Sequence, residues 1–193
     1  MVRRIGLLAM LAVMLVGCGA ESRGSEATSP PSADTGLLFQ RTDGSRVEMH
    51  GRPLVWCGPW NDVIPDHTLH VAAVGGVERK PGQDWFTYWE LWAIPEDVEG
   101  GAAVGFPGDY TFDDPSGVVL FVGDRETKNE ASSKGEDSGG QIVFTKASCE
   151  VGAPVEFTID AVVDSEFSDG DPLKVEGAFR GVVGPGPESY DSN

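Results

Sequence analysis

The sequence predicts an all-β fold, an antiparallel β-sandwich with a small closed β-barrel as the alternative. Three observations predict it. Between its two ends the chain never sustains the 3.6-residue period of an amphipathic helix. Short runs of β-forming residues recur instead, punctuated by Gly, Pro and Asp; the 193 residues include 26 Gly and 13 Pro. Two late runs alternate strictly between apolar and polar residues, which marks strands with one face in a core and one in water.

The chain opens on Met1-Val2-Arg3-Arg4, a short basic segment, followed by an apolar run over 5–16 broken only by Gly6. A helix crossing a bilayer core needs about 20 residues, so this run is too short to span. It has the length of the apolar region of a secretory signal peptide. It ends in Leu15-Val16-Gly17-Cys18, which resembles the lipobox of bacterial lipoproteins: a branched apolar residue, two smaller ones and the modified Cys. The resemblance implies cleavage before Cys18 and a diacylglyceryl group on its thiol. Several acyl chains on one residue anchor a protein firmly without a transmembrane helix. The alternatives are an uncleaved anchor, or an ordinary signal peptide cut near Ala20. Gly19 stands where an inner-membrane retention signal would have Asp. The expected location is therefore the cell envelope: the outer membrane of a two-membrane host, otherwise the outer face of the plasma membrane.

Residues 1–17 thus read as a signal peptide and 18–35, rich in Ser, Pro, Gly and Glu, as a flexible tether. Residues 36–184 form one domain, about 150 residues and long enough to bury a core, and 185–193 a loose tail. Within the domain, strands are expected at 37–40, 46–49, 54–57, 68–74 and 85–94. Asp113-Asp114-Pro115-Ser116-Gly117 makes a turn between Tyr110-Thr111-Phe112 and the wholly apolar run 118–122, which reads as a buried strand. The charged, Ser/Gly-rich stretch 123–140 reads as a solvated hairpin tip or, functionally, a mobile recognition loop. Strands follow at 141–146, 155–163 and 173–183. In the last two, Val155, Phe157, Ile159, Ala161 and Val163 share one face, and Leu173, Val175, Phe179 and Val183 another.

Gly108-Asp109-Tyr110, Gly139-Gly140-Gln141-Ile142 and Gly177-Ala178-Phe179 occur in that order. Over 108–183 this layout resembles domains of unknown function in bacterial lipoproteins, which carry Thr or Ser where this chain has Ala178. The resemblance implies an immunoglobulin-like sandwich and an envelope location.

The formal charge is −17, and removal of Arg3 and Arg4 makes it more negative still. Such a surface repels phosphate backbones and anionic headgroups, so nucleic acid is not an expected partner. With Cys18 assigned to lipid, Cys57 and Cys149 remain as an even pair in an oxidising compartment and are expected to form a disulfide. Closing a loop of about 90 residues is worth on the order of 4 kcal/mol in chain entropy.

The most unusual segment is Trp85-Phe86-Thr87-Tyr88-Trp89-Glu90-Leu91-Trp92. Alternation places Trp85, Trp89 and Leu91 on one face and Phe86, Tyr88 and Trp92 on the other. One face fills the core. The other forms either an open aromatic platform for a sugar ring or a protein, or a second covered face. Trp56 and Trp60 flank Cys57 and read as core packed on the disulfide.

His67 and His70 are three apart, which in a strand sends their rings to opposite faces; with His50 they read as exposed polar residues rather than zinc ligands. Asp164, Glu166, Asp169 and Asp171 crowd one turn and are a weak calcium candidate, because their spacing departs from the calcium-loop pattern. No other metal site and no cofactor is expected. Nucleophile-elbow, zinc-protease, phosphate-loop and dinucleotide motifs are absent from the sequence. The expected function is a membrane-anchored extracytoplasmic lipoprotein that binds a protein or polysaccharide or serves as an envelope component. The alternatives are a carbohydrate-binding module using the aromatic strand and, third, a hydrolase.

Overall fold

A computed structural model describes residues 34–49, 52–59, 67–74, 87–98, 100–107, 117–165 and 170–186. Within them the chain is all-β. Its strands are β1 (Asp34–Thr35), β2 (Leu38–Gln40), β3 (Leu54–Cys57), β4 (Leu69–Val74), β5 (Tyr88–Ala93), β6 (Ala103–Gly105), β7 (Val118–Asp124), β8 (Asn129–Ser132), β9 (Gly139–Lys146), β10 (Pro154–Ser165) and β11 (Leu173–Val182). A single helical turn, α1 (Pro95–Val98), follows β5.

Every pairing is antiparallel, and the strands join into one continuous curled sheet. One branch runs β6-β9-β10-β11, with β1 and β2 both paired to β11. The other runs β3-β4-β5-β7-β8. The two meet at β10, whose body pairs with β9 and β11 while Asp164 and Ser165 at its end pair with β8.

Alternation dictates the core. Along β10, Val155, Phe157, Ile159, Ala161 and Val163 are all buried, as their spacing predicts, and Leu173, Val175, Phe179 and Val183 bury beside them. Phe144, Phe157 and Phe179 lie opposite one another across β9, β10 and β11, with successive ring centroids 5.2 and 5.0 Å apart. Trp89 reaches them from the other branch, edge-on to Phe179 at 5.9 Å and tilted against Phe39 at 6.0 Å. Apolar residues of both branches thus pack into one cluster.

Two glycines of the sequence motifs have a steric reason. At Gly140 φ is 98°, and a Cβ would stand 2.3 Å from the Asp160 carbonyl. At Gly177 φ is 128°, and a Cβ would stand 2.2 Å from the carbonyl of Gly36, where the chain passes from β1 to β2. Only glycine fits a close backbone approach at positive φ.

Two sequence expectations need correction. The stretch 46–49 is no strand: Arg46 makes one bridge to Gln40, and Val47 N–H donates to the Phe39 carbonyl at 2.9 Å. The turn at 41–45 brings it back beside β2, but Glu48 and Met49 join no strand. The stretch 123–140 is not one long loop: its exposed turn over 125–128 fits the solvated hairpin tip, but a further strand follows. Gly123 and Asp124 end β7, a short turn follows, and β8 buries Asn129, Ala131 and Ser132, with Ser133 and Ser138 buried after it. Polar composition concealed the strand, because the serines that follow it are satisfied internally: Ser133 Oγ accepts from Leu120 N–H at 2.9 Å and Ser138 Oγ donates to the Ser132 carbonyl at 2.9 Å. Both β6 and α1 are too short to register as a pattern. The Tyr110-Thr111-Phe112 strand lies outside the described residues, as does the following turn up to Ser116.

Candidate functional site

Strand β5 presents its two faces to different surroundings. Trp89, Leu91 and Ala93 point into the main core. Tyr88, Glu90 and Trp92 point the other way, while Trp85 and Phe86 lie outside the described residues. Pairing registers place Trp56 beside His70, His70 beside Trp92, and Trp92 beside Val119 in one cross-strand row. The next row carries Leu54, Ala72, Glu90 and Phe121, and a third carries Tyr88, Gly123 and Glu130.

This second face is closed around Trp92. The Trp92 ring is only 6 % exposed, edge-on to His70 at 5.7 Å and to Phe121 at 5.1 Å. Trp89 is 1 % exposed and Tyr88 half-buried. Neither Trp89 nor Trp92 offers an open ring, because each is held between other rings; at Trp92 the second face is the covered one.

His70 also corrects an expectation: its side chain is fully buried, whereas His67 is exposed and His50 lies outside the described residues. The imidazole stacks on Trp56 at 4.9 Å with planes 6° apart. Nε2 lies 3.0 Å from the Gly58 carbonyl, and since a carbonyl only accepts, Nε2 carries a proton. Nδ1 faces Glu90 Oε1 at 3.5 Å, and Glu90 is itself 6 % exposed. The approach is within ion-pair range, which holds only with a protonated imidazole, and Glu90 Oε1 accepts no hydrogen bond across it. Further along, the Tyr88 hydroxyl donates to the Glu130 carboxylate. Burial first, and then the Glu130 hydrogen bond and the negative charges of Glu130 and Glu90, push the Tyr88 hydroxyl well above its ordinary pKa. The face thus holds acid–base groups, but His70 is enclosed, and general acid–base chemistry needs a substrate within hydrogen-bond reach. Nothing in the sequence flagged Glu90 as buried; the alternation of Tyr88, Glu90 and Trp92 on one face was the available signal.

A second polar centre joins the two branches. Arg41, after β2, forks onto Asp124 at the end of β7, with Nε–Oδ2 at 2.6 Å and Nη2–Oδ1 at 3.0 Å. Arg41 also reaches Glu126 Oε2 at 2.6 Å. Asp124 is fully buried and accepts further bonds from Thr127 Oγ1 at 2.8 Å and Glu126 N–H at 3.1 Å. Burial pushes its carboxyl up, but the bonds from Arg41, Thr127 and Glu126 outweigh this and hold it below the usual carboxylate range.

Of the calcium candidates, Glu166 and Asp169 lie outside the described residues. Asp164 Oδ1 accepts from Ser165 N–H at 2.8 Å, and Asp171 Oδ2 accepts from Thr42 Oγ1 at 3.2 Å. Among the described residues no three His, Cys, Asp or Glu side chains gather where a metal would sit. Cys57 and Cys149 do form the expected disulfide, with Cα atoms 5.4 Å apart, tying the end of β3 to the β9–β10 connection. Cys18 lies outside the described residues.

Clefts open on the described surface, two of them against core residues. One, of about 240 Å³, lies between β2 with residues 46–49 and Pro53 and the Ala73–Trp89 pair of β4 and β5. The other, of about 290 Å³, lies beside α1 and the end of β9, lined by Val98, Phe144 and Lys146 among others. Neither contains the His70–Glu90 pair. No protein-family model, no curated protein and no solved structure matches the chain.

Proposed function

We propose that this chain is a lipid-anchored protein of the bacterial cell envelope, cut before Cys18, whose β-rich head acts by binding a protein or polysaccharide or as an envelope component. The observation that carries the reading is the Leu15-Val16-Gly17-Cys18 box at the end of a short apolar run behind Arg3 and Arg4. The Cys57–Cys149 disulfide supports the same compartment, since such bonds persist where the surroundings are oxidising. Gly19 favours the outer membrane in a two-membrane host, and the charge of −17 disfavours nucleic acid. Feeding cells a labelled fatty acid tests the anchor: wild type incorporates label and partitions with membranes, whereas Cys18→Ser does neither. Equal labelling of the two chains refutes it.

For the head we infer a sandwich, supported by the way β10–β11 and β4–β5–β7 turn their apolar faces toward one shared core. The closed barrel draws support from the far edge, where Gly184 N–H donates to the Val55 carbonyl at 2.8 Å. The carbohydrate-binding reading needs an open ring other than Trp89 or Trp92. A hydrolase needs accessible carboxylates, and Glu90 is turned onto His70 inside the fold.

A further inference from the structure

We draw no further inference here: the strongest candidate, the side-chain cluster of Tyr88, Glu90 and Trp92 on the second face of β5, belongs to the site already described, and its Glu90 and Trp92 are each only 6 % exposed, so nothing in the structure shows what a ligand would reach.

Discussion

Arg41 and Asp124 are 83 positions apart, and their fork is a charged contact between the two branches of the sheet. Removing one partner of a buried ion pair leaves the other uncompensated. Asp124→Ala should therefore destabilise the fold by about 3 kcal/mol, the low end for such pairs because Arg41 keeps Glu126. Urea unfolding at neutral pH measures it. The pH dependence follows from the depressed carboxyl. A group whose folded pKa lies below its unfolded value contributes fully above the unfolded value and loses that contribution as pH falls through the folded one. Wild type should thus lose stability below about pH 4 more steeply than Asp124→Asn, as thermal unfolding across pH 2–7 will show. None of this was legible in the sequence. Asp124 stands in a run of charges that reads as solvated, and a residue's partner on a distant turn leaves no local trace.

At the scale of single elements, the sequence was readable where one face is buried and one wet. The alternation of β10 and β11 named their core residues directly, and 118–122 read correctly as a buried strand, with Phe121 half-buried. It was unreadable where polar residues are buried. Strand β8 hid its pairing behind Asn129, Ser132 and neighbouring serines, and β5 hid the nature of its second face behind Tyr88 and Glu90. The density of rings in β5 left display and a second covered face both open, and Trp92 is packed between His70 and Phe121. Trp92→Ala should accordingly cost about 3–5 kcal/mol, as for other buried tryptophans, in guanidinium unfolding. A change under 0.5 kcal/mol, the range of ordinary surface substitutions, would return Trp92 to the role of a displayed ring.

At the scale of the whole molecule, the two branches are joined at one corner by β10 and at another by the Cys57–Cys149 bond across 92 positions. The pairing was legible by counting once Cys18 was set aside; its place, linking β3 to the β9–β10 connection, was not. Replacing both cysteines by Ala should lower stability by about 2–5 kcal/mol, read from the denaturation midpoint of the oxidised wild type against the double variant. The loss should vanish when both are compared under reducing conditions.

Strand β10 divides its backbone partners, giving most of its length to β9 and β11 and its last two residues to β8. A strand employed in this way cannot detach from one branch and leave the other intact. Partial opening at this corner therefore means loss of the whole, so its central amides exchange with solvent only through global unfolding, while short edge pieces such as β6 exchange by local fraying. The molecule is in that sense one cooperative unit.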